Sequence, residues 1–551
     1  MMVRRLLKIA GVLVLIIVVA AAALWFFLFR PPPPGTPSET TVATVAGPVR
    51  GLDEGDVTVY RGIPYAAPPV GDLRWKAPQP VESWREPHDA FVFPKACPQE
   101  GSPVPGMPAE PTDEDCLYLN VWTPTARVGG PLPVIVWLHG GSNVSGSASA
   151  PPYGGANLAR KGVVVVSPNY RLGVLGFLAH PELTAESGYG ASGNYGMMDI
   201  VAALQWVKAN VAAFGGDPQN VTVMGHSAGA WNLSHLQVSP LTSGLYQRAI
   251  AMSGGNFGPT DTAEGIASLA IAEAEGMKLG ERLGANSLAK MRALPASRIV
   301  ADQAETWWTA ANGSNIRGIA DGYVVPAAPW TRYAAGQAHA VDLLTGYTSM
   351  EGANWATALI TADQFKAKLQ NDYQPFAAEF LALYPSGNDA EARRSNQRLE
   401  GERAFKWQVT TWARQHQAAN IGRVWFYRFS HTTGIGPFRA LGPGHGAELG
   451  HVFDFPRRGM RWGTQWPWNA SKDIDLIDTI QGYWVNFART GDPNGPGLPT
   501  WPPFASGEQA IELGDPVQGI GLPDAAEHQL FDRYISTLRA SSMPPNIPSA
   551  Q

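Results

Sequence analysis

The sequence predicts an α/β fold: a mostly parallel central sheet flanked by helices, with helical insertions, preceded by one N-terminal transmembrane helix. Three observations carry this. First, short apolar runs rich in β-branched residues alternate with helix-like stretches, as in "LPVIVWLHGG", "GVVVVSPNYR", "MMDIVAALQWVKANVAAF" and "VTVMGHSAG". The third of these repeats its apolar residues at helical spacing (Ile200, Leu204, Val207, Val211), whereas the others read as strands buried on both faces. Second, no linker-like composition interrupts residues 45–538, so one large globular unit is expected where length alone would allow roughly two to four domains. Third, an uncharged apolar stretch covers residues 9–29.

Composition narrows the function classes. The chain has 551 residues, 45% hydrophobic and 16% charged, enough to bury a large core. Its formal net charge of -5 comes with neither a basic stripe nor a long acidic tail, which sets nucleic-acid binding aside. Repeats of solenoid or propeller length are absent.

The N-terminus is a separate object. Residues 1–8 form a basic segment carrying Arg4, Arg5 and Lys8, followed by "IAGVLVLIIVVAAAALWFFLF" from Ile9 to Phe29. As a helix this stretch would reach about 30 Å, enough to cross a bilayer. Six apolar residues follow the Ala20–Ala23 cluster where a peptidase would cut, which favours a retained signal anchor over a cleaved signal peptide. The cations before the stretch keep the N-terminus inside and place the bulk of the chain outside the cytoplasm. The expected location is therefore membrane-anchored with the bulk of the chain outside the cytoplasm, or secreted if residues 1–29 are removed. A proline-rich spacer is expected over 30–44 and a flexible tail over 539–551. Cysteine usage agrees with export, since Cys97 and Cys116 are the only two and one bridge between them is the default.

"MGHSAGAW" places Ser227 between Gly225 and Gly229, directly after the β-rich run Val221–Val223 and at the start of a helix. A serine held in a strained turn between strand and helix needs neighbours without side chains, because the two elements converge there. Such a nucleophile also needs donors for the developing oxyanion. "LHGGSNVSG" follows the strand-like "PVIVW", so the backbone N–H groups of Gly141 and Ser142, with Gly140 as a further candidate, can face a substrate oxygen. The N–H of Ala228, next after the serine, would complete the hole.

A base and an acid are expected downstream in the order serine, acid, histidine. Among the later histidines His445 stands out, flanked by Gly444 and Gly446 in "GPGHGAELGHVFDF", whereas His451 sits in an apolar run and reads as packing. For the acid, Glu351 lies on the small-residue loop of "LLTGYTSMEGANW". Asp321 and Asp342 are its rivals, although Asp321 begins a turn with Gly322 that explains it more simply.

These blocks carry a family resemblance. From "VRG" at 49 to "TWPPF" at 500, through "YRGIPYAAPPVGDLRW", "EDCLYLNVW", "HGG", "SPNYRLGVLGFL", "GNYGMMD", "FGGDPQNVTVMGHSAGA", "GYTSMEG", "HGAEL" and "GDPNGPGLPTWP", the chain resembles the type-B carboxylesterases. These form the cholinesterase-like branch of the α/β-hydrolase fold, which includes bacterial para-nitrobenzyl-esterase-like enzymes. The resemblance implies Ser227, Glu351 and His445 as a catalytic triad, a Cys97–Cys116 disulfide, no metal and no cofactor.

The sequence departs from the family pattern in two places. The elbow usually reads GESAG, and His226 stands where the glutamate would be; side chains of adjacent residues at a tight elbow diverge, which disfavours His226 as a second base. Ser142 replaces the third glycine of an HGGG loop, so its Cβ and hydroxyl intrude on the pocket and disfavour esters of bulky tertiary alcohols. Trp231, just past the elbow, and the pair Trp307 and Trp308 are candidates for an apolar substrate pocket. The expected partners are a small-molecule ester, water, and the membrane through the N-terminal helix. The competing readings are a non-catalytic adhesion ectodomain, or amide or lactone hydrolysis by the same triad. The oligomeric state is not legible.

Overall fold

The computed structural model describes residues 35–101, 109–126, 129–306, 318–354, 356, 359–432, 442–454, 470–505 and 507–542. The described residues build a 13-stranded sheet whose central strands are buried almost throughout. Its main path uses β1 (Thr36–Ala43), β2 (Pro48–Glu54), β3 (Val57–Pro64), β4 (Tyr118–Pro124), β5 (Leu132–Leu138) and β6 (Val164–Pro168). It continues with β7 (Gly216–His226), β8 (Arg248–Met252), β9 (Asp342–Thr348), β10 (Val424–Phe429), β11 (Gln509–Leu513) and β12 (Gln518–Gly521). The spatial order is β1-β2-β3-β4-β6-β5-β7-β8-β9-β10-β11-β12. From β6 to β11 every neighbouring pair is parallel, and the remaining pairs on this path are antiparallel.

The period of two sorts each central strand onto two cores. Val134, Val136 and Leu138 of β5 join one cluster with Val221 and Val223 of β7, while Ile135 and Trp137 join another with Met224. Helix α1 (Tyr195–Asn210) covers the first face with Ile200, Leu204 and Val207, all fully buried. Helices α2 (Ala228–Leu236), α3 (Asp389–Gly401), α4 (Trp407–Ala419) and α5 (Ala470–Thr490) follow, and α5 places Ile480 and Trp484 on the second face. Each such aliphatic or aromatic side chain contributes about 1.5–3 kcal/mol by leaving water. The parallel strands run their carboxyl ends to one edge, where the connecting loops collect the polar side chains described below.

Two boundaries differ from expectation. The spacer expected over 30–44 is, from Thr36, the edge strand β1, paired antiparallel with β2. Only Ser38 and Val42 of β1 are buried, so the strand lacks the apolar alternation that would mark it in sequence. The first residues of the tail expected over 539–551 are instead part of helix α6 (Ala525–Ser542), and Arg539 donates to the Phe257 carbonyl at 2.7 Å. Among the described residues no helix is long and apolar enough to cross a membrane; the span expected over 9–29 lies outside them.

Candidate active site

Ser227 sits at the turn between β7 and α2 with φ 56° and ψ -120°, a backbone conformation that L-residues rarely adopt. Its neighbours explain how the turn is possible. A Cβ on Gly225 would stand 2.5 Å from the carbonyl carbon and oxygen of Gly229, and a Cβ on Gly229 would stand 2.2 Å from the Leu138 carbonyl. Strand β5, strand β7 and helix α2 thus meet with no room for side chains, and Ser227 is pushed out of the turn. Its N–H donates to the Met252 carbonyl at 2.9 Å, which ties the turn to β8.

The loop after β5 is wound tightly beside this turn. Gly141 has φ 111°, while Ser142 and Asn143 are both left-handed, at φ 56° and 57°. The N–H groups of Val144 and Ser145 both donate to the Gly141 carbonyl at 3.0 Å. Asn143 and Asn232 exchange side-chain amide bonds at 3.1 and 2.8 Å, fastening the loop to α2. Tyr170 stacks on His139 and donates to its carbonyl at 2.7 Å. Among the described residues the backbone N–H groups of Gly141, Ser142 and Ala228 donate to no protein carbonyl, which leaves them available to a ligand oxygen. Gly140 is part of the same loop, in contact with the Ser227 Cβ: a Cβ added to it would lie 3.1 Å from that atom.

His445 and Glu351 come together from loops 94 residues apart. His445 Nδ1 lies 2.6 Å from Glu351 Oε2. Glu351 opens a 3-10 turn just past β9 and is fully buried; its Oε1 accepts from Ser253 Oγ at 2.6 Å and from the Thr348 N–H at 2.7 Å. Burial alone would raise this carboxyl, but the His445 charge and the bonds from His445, Ser253 and Thr348 outweigh it and hold it below the ordinary value. A charged Glu351 fixes the His445 proton on Nδ1 and leaves Nε2 as acceptor.

The rivals are engaged elsewhere. Asp321 Oδ1 accepts the N–H groups of Tyr323 and Val325 at 3.0 and 2.9 Å, closing its own turn, and Asp342 pairs with Arg423 at 2.8 Å. His451 is fully buried beside His431 and Asp473. These three side chains bring possible metal ligands within 4.8 Å of one another, but His431 Nε2 and Asp473 Oδ1 already share a 2.6 Å hydrogen bond.

His226 packs against His445. Its ring lies 4.5 Å from that of His445, because Gly140 and Gly446 leave space for it: a Cβ on Gly446 would stand 3.3 Å from His226 Cε1, and one on Gly140 3.2 Å from Nδ1. Burial, and then the neighbouring His445, hold the His226 imidazole well below its ordinary value, so it is neutral and a poor base.

Trp231 packs with Ala228, Ala404 and Phe405 beside the turn. Trp307 and Trp308 lie outside the described residues. Sequence reasoning missed Phe405, Ser253 and Glu448. Phe405 comes from a π-helical turn, Glu402–Lys406, joining α3 to α4, and stacks on His445 with ring centroids 4.1 Å apart. Ser253 ends β8 as Ser227 ends β7, a strand-end signal available in "AMSGG". Glu448 is fully buried, accepts from Tyr427 at 3.2 Å, and is pushed up to about 7 by burial and by Glu351. The expected disulfide joins Cys97 and Cys116.

This arrangement can do acyl-transfer chemistry: a serine hydroxyl on a strained strand-to-helix turn, an imidazole oriented by a carboxylate, and a neighbouring loop with backbone N–H groups that bond no protein carbonyl among the described residues. Comparison with known proteins bears on the same point. Residues 38–530 match the profile of the Carboxylesterase family. The chain is 36% identical over 489 residues to the fumonisin B1 esterase of Sphingopyxis macrogoltabida, covering 87% of this chain and 88% of that protein. It is 34% identical over 479 residues to the para-nitrobenzyl esterase of Bacillus subtilis (strain 168), covering 84% and 92%. It is 31% identical over 549 residues to a liver carboxylesterase of Sus scrofa, covering 90% and 92%. Among solved structures it is similar to a thermophilic PNB esterase, with TM-score 0.78, 31% identity, and coverage of 90% of this chain and 100% of the other.

Proposed function

The chain belongs to the carboxylesterase family and is a carboxylic ester hydrolase, and on that premise we propose that Ser227, His445 and Glu351 carry the reaction. The observation that carries this assignment is the 2.6 Å bond between Glu351 and His445, formed beside a serine whose backbone is held in a strained turn.

Ser227 Oγ attacks the ester carbonyl carbon while its proton passes to His445 Nε2. The carbonyl electron pair moves onto oxygen, where the N–H groups of Gly141, Ser142 and Ala228 receive it. Collapse of the tetrahedral species expels the alcohol, which takes the proton from His445, and leaves an acyl-Ser227 ester. Water, deprotonated by His445, attacks that ester; a second collapse releases the acid and restores Ser227. Glu351 does not take a proton in this scheme: its charge holds the imidazole tautomer and stabilises the cation that forms.

The substrate space lies against Trp231 and Phe405, which supply apolar contact for the acyl or alcohol group. The N-terminal stretch over 9–29 anchors the protein in the membrane with the hydrolase unit outside the cytoplasm; the flanking Arg4, Arg5 and Lys8 and the Cys97–Cys116 bridge support this reading.

A panel of p-nitrophenyl esters graded by acyl length tests the assignment. Turnover by the wild-type enzyme and its loss in a folded Ser227→Ala variant are expected; full turnover by that variant would remove Ser227 from the reaction. Intact-mass analysis of membrane and soluble fractions tests the anchor, and a mature chain starting at Leu24 or later in the soluble fraction would overturn it.

A further inference from the structure

Gln99 lies two residues past Cys97 and reaches the far end of the loop that starts at His139. Its Nε2 donates to the Gly146 carbonyl at 2.8 Å, and its Oε1 accepts the Gly146 N–H at 2.8 Å. One side-chain amide therefore satisfies both polar groups of a single backbone residue, as a neighbouring strand would. The same Nε2 donates to the Cys97 carbonyl at 3.0 Å, so both of its hydrogens are used.

The arm that carries this amide is itself anchored. Cys97 and Cys116 are buried and joined by the disulfide, and the Ala96 N–H donates to the Pro111 carbonyl at 3.0 Å while its own carbonyl accepts the Asp113 N–H at 3.0 Å.

Gly146 is the point where the loop folds back on its own beginning. It has φ 121°, and a Cβ there would stand 2.2 Å from His139 Nδ1 and 2.5 Å from the Gly140 carbonyl. The Gly146 backbone thus abuts the peptide that leads into Gly141 and Ser142. Other ties hold the start and middle of the loop, through Tyr170 on His139 and Asn232 on Asn143. Gln99 holds Gly146 from the segment that follows Cys97, and Asn169 and Asn120 hold Ala148 two residues further on.

We infer that Gln99 is a positioning residue for ester hydrolysis: by clamping Gly146 it fixes the N–H groups of Gly141 and Ser142 where the oxyanion forms, with the Cys97–Cys116 bridge as the anchor of the clamp. This rests on the assignment of those N–H groups and of Ser227 made above. A hole that binds developing charge acts on the transition state and little on the bound ester, so the clamp belongs to kcat and to the affinity for tetrahedral adducts, and not to KM.

Two substitutions separate its bonds. Gln99→Met keeps the length and removes both bonds to Gly146; Gln99→Glu keeps an acceptor for the Gly146 N–H and removes the donor to its carbonyl. In the full chain with the bridge formed, Gln99→Met is expected to lower kcat about 10- to 100-fold, as misplaced rather than deleted donors would. Affinity for a trifluoromethyl ketone should fall by the same factor, KM should stay within about threefold, and Gln99→Glu should lie between wild type and Gln99→Met. An unchanged kcat in either folded variant overturns the clamp. So does a fall in kcat with unchanged ketone affinity, which is the signature of general damage. If Gln99→Met does not fold, the parallel fall of kcat and ketone affinity in Gln99→Glu still decides. A wild-type enzyme that forms no ketone adduct at Ser227 would fault the nucleophile assignment and the clamp with it, whereas an adduct equally tight in both variants faults the clamp alone.

Discussion

Glu351 Oε2 and His445 Nδ1 lie 2.6 Å apart, brought together from positions 94 residues apart in the chain. Replacing Glu351 with Gln keeps the size, removes the charge and lets the imidazole adopt the wrong tautomer. The expected loss in kcat approaches about 10⁴-fold, the size found when the analogous acid of a serine protease is neutralised. Asp321→Asn and Asp342→Asn act on a turn and on a pair with Arg423, and kcat should stay within about tenfold in both once folding is verified. Steady-state kinetics of the three variants checks this, and an active Glu351→Gln enzyme would give the role to another acid.

Glu448 gives a pH dependence of stability. Burial and then Glu351 raise its carboxyl from the ordinary 4.5 to about 7, so between those values the folded chain keeps a proton that the unfolded chain has released. Stability therefore falls as pH rises through this window, by an amount on the order of a few kcal/mol. Glu448→Gln removes the titration while keeping a polar side chain opposite Ser253 and Tyr427. Calorimetry should show the variant gaining Tm over wild type at pH 8 relative to pH 5. An equal difference at both pH values would contradict the raised carboxyl.

Gly229 is the tightest point of the turn. With a Cβ position 2.2 Å from the Leu138 carbonyl, Gly229→Ala must displace β5 from α2, and with it the loop that begins at His139. Overpacking of this kind costs about 1–3 kcal/mol or more. The expected outcome is a lower Tm together with a kcat reduced by more than about tenfold, since the nucleophile and the N–H donors move apart. Thermal melts and kinetics on the same preparation test it, and a native Tm with native kcat would show that the convergence is looser than described.

How much of this was legible in the sequence follows from the range of each interaction. The turn at Ser227, the tight loop at Gly140–Ser142 and the Glu351 and His445 loops each have a local signature, because small residues next to an apolar run mark a strand end. The disulfide followed from having two cysteines in a chain that reads as exported. Strand β1 left no signature, since an edge strand with two buried side chains looks like a polar linker. Ser253, Phe405, Glu448 and Gln99 could not be assigned roles, because their partners are set by sheet order and by the π-helical turn, not by spacing. Ser253 meets Glu351 across 98 residues, and Gln99 meets Gly146 across 47. The contact between the His226 and His445 rings was not legible for a related reason: two glycines distant in sequence from His226 open the space its ring fills.

The central claim is that Ser227 is the nucleophile, and covalent labelling tests it most directly. An organophosphonate reacts with a serine activated by an imidazole and faced by oxyanion donors, and ordinary serines do not react. Peptide mapping by mass spectrometry after labelling should place one adduct on Ser227, with loss of esterase activity in proportion to labelling. An adduct on another serine, or full inactivation with Ser227 unmodified, would contradict the account.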